Sequence, residues 1–155
     1  MPRVTRSRVI AAPPERVWEV VSDPHHLPRW WPRAVRVEDV REEDGAATQW
    51  TTVLGTQSGS SVRADYRRTG GEPGRRLAWS QEVEGTPFER ILRAAAVEIE
   101  VNPDDDGSRV TLGVDETLRG ISRLGSPMMR AAARRRLDEA LENLDGAIVG
   151  GGTAG

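Results

Sequence analysis

The sequence predicts a single α+β domain, a seven-stranded antiparallel sheet packed on a long C-terminal helix, with two short helices between strands 1 and 2. Three observations carry this. Successive segments in the second half alternate apolar and polar residues, so each strand has one wet and one dry face, as antiparallel sheets do. The last long segment, from Ser126 to about Val149, repeats apolar residues at helical spacing. Between the first strand and the rest lies Ile10–Pro32, where prolines and an Asp–Pro pair divide two short helices.

Residues 3–11 read as the first strand, ended by Pro13 and Pro14, which cannot donate to a sheet ladder. Pro14 suits a helix first turn, and Glu15 lies near the positive end of its dipole. Val17, Trp18, Val20 and Val21 form its apolar face. Asp23–Pro24 stops that helix and Asp23 caps the next, which the prolines at 24, 28 and 32 keep to one or two turns. Val35–Val40 and Ala46–Leu54 have β character with imperfect alternation. The later strands, 60–68, 76–84, 89–101 and 108–118, alternate clearly. Gly70–Gly74 and Asn102–Gly107 read as turns. Ser126 followed by Pro127 reads as an N-cap, and Leu124, Met128, Leu137, Leu141, Leu144 and Ile148 form the helix stripe. Arg134 with Asp138 and Arg135 with Glu139 read as pairs on its wet side. Residues 1–149 form the domain, and 150–155 read as a disordered glycine-rich tail.

Composition narrows the function classes. A net charge of −2 over 155 residues argues against nucleic-acid binding, which needs a basic surface. There is no lysine, which excludes Schiff-base chemistry, and no cysteine, which excludes disulfides, thiolate nucleophiles and cysteine metal sites. The first eight residues lack a signal peptide's apolar run, and no stretch approaches the ~18 apolar residues of a membrane span. The expectation is a cytoplasmic protein, monomer or homodimer, with no metal, no cofactor and no stable membrane insertion. His25 and His26 are adjacent, so they point apart and do not form a metal pair. The loop Gly55–Ser61 does not open a helix and is not a phosphate cradle, and Arg134–Arg136 reads as a solvated helix face.

The order of strand, two short helices, six strands and long helix is the helix-grip arrangement. Ile10–Ala11–Ala12–Pro13–Pro14–Glu15–Arg16–Val17–Trp18, then Ser22–Asp23–Pro24 and Leu27–Pro28–Arg29–Trp30–Trp31–Pro32, resembles the opening of the SRPBCC superfamily. The stretch from Gly120 through Ser126–Pro127–Met128–Met129–Arg130 to Leu144 is similar to the closing helix of its bacterial polyketide-cyclase-like members. The resemblance implies a curved sheet gripping the helix around a deep apolar cavity. It also implies three functions: binding or transport of a small apolar ligand (lipid, polyketide or isoprenoid-like), a polyketide cyclase or dehydrase, or a chaperone-ATPase-activator-like accessory.

With the apolar strand faces turned inward, the cavity would be lined by Tyr66, Leu77, Trp79, Val83, Ile91, Val97 and Leu112, with Met128 from the helix. Trp30, Trp31 and Trp50 would sit at its mouth. Tryptophan suits an aromatic ligand, and it equally fills ordinary cores. Arg93 and Glu116 fall on the apolar parity of their strands. A register that keeps both apolar faces together sets them across from each other, as a buried ion pair or as two groups reaching water at the rim. Gln81 and Tyr66 are the remaining inward polar groups, suited to hydrogen-bonding a ligand or a water. In the enzyme reading Arg93, Glu116 or Tyr66 would polarise a carbonyl or move a proton.

Overall fold

The structure is a computed structural model that describes residues 3–90, 92–118 and 126–150, with the backbone alone at 90, 92, 118 and 126. Strand β1 (Arg3–Ile10) is followed by α1 (Pro14–Val21), a 3-10 turn (Pro24–His26) and α2 (Leu27–Trp30). Then come β2 (Ala34–Glu43), β3 (Ala46–Gly55), β4 (Ser61–Glu72), β5 (Arg76–Glu82), a 3-10 turn (Pro87–Arg90), β6 (Leu92–Asp104) and β7 (Gly107–Leu118). The chain ends on α3 (Ser126–Asp145) and a π-helical turn (Gly146–Gly150). All pairings are antiparallel, in the order β1-β7-β6-β5-β4-β3-β2. Every neighbour pair is a hairpin except β1 with β7. The chain must therefore pass from one sheet edge to the other between β1 and β2, and α1 and α2 make that crossing.

The expected elements are present, with shifted boundaries. Asp23 accepts from the His25 backbone N–H, the cap expected of it. Gly70 and Gly71 are not the turn; they pair with Ala78 and Leu77 of β5 just after a β-bulge at Thr69, and the turn falls at Pro73–Gly74. A side chain at Gly71 would lie 2.5 Å from the Arg76 carbonyl oxygen, so only glycine fits there. The imperfect alternation of β2 has a cause, since its pairing with β3 slips three times and Asp39 adopts a left-handed backbone. Residues 87–90 form a 3-10 turn, so β6 starts later than expected. The expectations on Ile91, on Leu124 and on the Ser126 cap lie outside the described residues or side chains.

The concave face of the sheet holds the core. Ile99 and Val101 of β6, Val110 and Leu112 of β7, and Leu137, Ala140, Leu141, Leu144 and Ile148 of the C-terminal helix are all buried there. At about 25 cal/mol per Å² of apolar surface, this face is the main stabilising term. Polar contacts fix where the helix lies. Arg6 and Arg8 of β1 pair with Asp138 (2.7 Å) and Asp145 (2.8 Å), so Asp138 looks to β1 for its partner. Arg16 and Arg29 donate to the carbonyls of Ile148 and Ala147, and Asn143 donates to the Trp30 carbonyl. Two arginines thus neutralise the negative end of the helix. The exposed pairs add at most about 1 kcal/mol each. Their effect is to pin the C-terminal half of α3 and the covered edge strand β1. The first turns of α3 carry none of these clamps: Met128 is 79% exposed and Met129 41%.

Candidate ligand cavity

The clamped half of α3 closes one end of the grip. At the middle of the helix, where Arg136 reaches in, a cavity of about 250 Å³ opens against the concave sheet face. Trp31, Leu54, Val62, Phe88, Val97 and Val114 supply apolar wall, and Ala95 stands where a larger side chain would fill the space. Tyr66, Gln81, Glu116 and Arg136 bring polar side chains to it, and Arg33 and Thr56 lie on the same lining. An apolar pocket with a few placed polar groups is the usual form of a small-molecule site.

Strand register explains the grouping. Tyr66 lies opposite Trp50 on β3 and Gln81 on β5, so all three point to the concave face. The Tyr66 ring stacks on Trp50 (6.1 Å, 20°). Trp79 packs edge-on against Trp50 (5.5 Å) and Trp31 (6.3 Å), and Trp31 against Trp30 (5.5 Å). The backbone turns extended at Trp31, right after α2, which swings its indole from the buried side toward the cavity. Four indoles and one phenol thus make a rigid floor. A void of about 10 Å³ beneath it, lined by Trp50 and Thr52, has room for one water.

Glu116 Oε1 accepts from Arg136 Nη2 at 2.8 Å, joining β7 to α3 across the cavity. Both side chains are partly exposed, so the pair adds little stability and mainly sets the spacing of helix and sheet. On the cavity-lining side chains two donors, Arg136 Nε and Gln81 Nε2, are buried with no partner among the described residues, as are the indole N–H groups of Trp30 and Trp50 deeper in the fold. Burial pushes the Tyr66 phenol up to about 12, with Arg136 opposing the rise and Glu116 adding to it. The phenol is therefore protonated at neutral pH and able to donate.

That shift is directly measurable, because Tyr66 is the chain's single tyrosine. Phenolate absorbance should titrate near 12, against about 10 for a free phenol. Because the folded value is the raised one, the stabilising effect is complete below about pH 10 and lost as pH climbs toward 12. Glu116→Gln should move the midpoint down. A native-state midpoint at 10 would contradict this burial.

The structure moves several expected site residues. Arg93 does not face Glu116: Ala95 does. An extra residue sits in β6 between Leu92 and Ala94, and this bulge reverses the parity, leaving Arg93 exposed and off the cavity wall. The partner of Glu116 is Arg136, which the reading of Arg134–Arg136 as a solvated face had missed. Spacing held the signal, since Arg136 follows buried Ala133 by three residues and precedes buried Ala140 by four. Met128 is on the surface and not on the cavity wall. Trp30 is 1% exposed, in the core and not at a mouth, and Trp50 and Trp79 are buried in the floor. Leu77 and Leu112 belong to the closed core. Tyr66, Gln81, Glu116, Val97 and Trp31 do line the cavity. Among the described residues, no group of three His, Asp or Glu side chains is placed to hold a metal, and no helix is long and apolar enough to cross a membrane.

The family model described as polyketide cyclase / dehydrase and lipid transport matches residues 1–148. The chain belongs to this family. No match is found among curated proteins. Solved structures agree on the fold across nearly whole chains. A START superfamily protein from Mycobacterium smegmatis superposes with a TM-score of 0.77 at 18% identity, covering 94% of this chain and 96% of that one. The Zhui aromatase/cyclase from a Streptomyces species gives 0.75 at 22%, covering 95% and 93%. A protein from Thermus thermophilus gives 0.75 at 21%, covering 97% and 99%. This polyketide cyclase/dehydrase and lipid-transport family member therefore has the START-like helix-grip fold expected from its Ile10–Pro32 segment.

Proposed function

We propose that this family member binds and carries a small, mainly apolar ring compound in the cavity beneath α3. One observation carries the reading: an apolar-walled space of about 250 Å³ with an aromatic floor, on which Tyr66, Gln81, Glu116 and Arg136 converge. That volume lies just under the ~300–1,000 Å³ of drug-sized sites, so it suits two or three rings and not a long-chain lipid in full. The family description, which includes lipid transport, supports a ligand-holding role.

The test is a titration with N-phenyl-1-naphthylamine, an uncharged fluorophore of this size. Saturable binding of one molecule per chain is expected, with quenching of indole emission because Trp31 lines the cavity. Linear, unsaturable uptake would contradict the proposal. A second reading is a cyclase- or dehydrase-type reaction in the same space. It is favoured by the Tyr66 phenol and the Glu116 carboxylate sharing one cavity, a proton donor beside a proton acceptor. The aromatase/cyclase among the fold neighbours is in keeping with it.

A further inference from the structure

The cavity's polar groups do not match one another. Two of them, Gln81 Nε2 and Arg136 Nε, are donors shielded from water with no acceptor among the described residues. Leaving a buried donor unpaired is unfavourable, and the usual remedy is an acceptor supplied from elsewhere. Gln81 sits on β5 opposite Tyr66, and Arg136 reaches in from α3, so the donors approach one space from two sides. The Tyr66 hydroxyl, protonated at neutral pH, adds a third donor on the same wall.

Charge decides what kind of acceptor fits. Arg136 is already neutralised by Glu116 at 2.8 Å, and the other charged side chain on the lining, Arg33, is exposed to solvent. A carboxylate brought beside Gln81 and Arg136 would face Glu116 and lose its hydration, and the solvent-exposed Arg33 is too well screened to replace it. An ammonium would have to compete with Arg136 for the Glu116 carboxylate and would leave the donors of Gln81 and Arg136 unpaired. An uncharged carbonyl-type oxygen accepts two or three of these bonds and adds no charge.

We infer that the cavity selects its ligand by an uncharged carbonyl-type oxygen, received by Gln81 and Arg136, on a body of two or three rings. The inference rests on the cavity being the ligand site. It makes Gln81 and Arg136 determinants of specificity, a role the sequence alone does not suggest for Arg136.

The experiment is displacement of N-phenyl-1-naphthylamine from the whole chain by four naphthalenes matched in size: 2-acetylnaphthalene, 2-ethylnaphthalene, 2-naphthoate and 2-(aminomethyl)naphthalene. The acetyl compound should bind on the order of tenfold more tightly than the ethyl compound, the worth of one or two net hydrogen bonds. It should also exceed the acid and the amine. Gln81→Met, close in shape but without the donor, should bring the acetyl and ethyl compounds to similar affinity, compared with each other within the variant. Arg136→Leu provides the same comparison should the first variant not fold. Equal affinity for the acetyl and ethyl compounds would overturn the inference and leave the cavity reading standing. Preference for naphthoate would overturn the choice of an uncharged oxygen. If neither fluorophore nor naphthalenes bind, the cavity reading fails and this inference with it.

Discussion

Leu137→Ala should lower the free energy of unfolding by about 2–5 kcal/mol, measured by urea denaturation followed through indole fluorescence. Leu137 is fully buried where the clamped half of α3 meets the sheet. Its replacement removes apolar contacts and leaves a cavity in a closely packed core that relaxes only in part. Against a total of about 5–15 kcal/mol, that loss is severe. The matched change at Met128 should stay within about 0.5 kcal/mol, because that side chain is exposed. The contrast separates the two halves of one helix. The C-terminal half holds the fold together, while Met128 near the N-terminus packs against none of it. A loss below 1 kcal/mol at Leu137 would contradict the assignment of the core.

Ala95→Phe should abolish ligand binding while leaving the fold intact. Ala95 lies on the cavity wall opposite Glu116, on a strand where phenylalanine is well tolerated. A phenyl ring placed there occupies space that the ligand needs. The strain of a larger side chain, about 1–3 kcal/mol, is lessened because the space is already open, and it lies within the stability margin. Affinity should fall at least tenfold, with far-ultraviolet dichroism unchanged.

How much of this could be read from the sequence follows a physical division. The Ile10–Pro32 segment reported the fold well, because prolines and the Asp23 cap act locally and leave few alternatives. The hairpin strands were legible in their middles, where period-two alternation reflects one buried face. Their ends were not. Bulges at Thr69 and Arg93 insert a single residue, and one residue turns every side chain beyond it to the opposite face. That is why Arg93 was placed beside Glu116 and is absent from the cavity. Tyr66, Gln81 and Glu116 lie on the regular side of those bulges and were placed correctly on the inward face. Arg136 was hidden for another reason. A helix stripe has two borders, and whether a border residue meets water or the sheet depends on how the helix is docked. Here Arg6, Arg8, Arg16 and Arg29 set that docking through contacts more than 100 residues distant in sequence.

The most direct test of the account is a paired titration of N-phenyl-1-naphthylamine into the wild-type protein and Ala95→Phe at equal concentration. The account predicts one saturable site in the wild type, with indole quenching, and at least a tenfold weaker interaction in the variant at unchanged secondary structure. Equal affinity in the two proteins would place the ligand elsewhere and contradict the central claim.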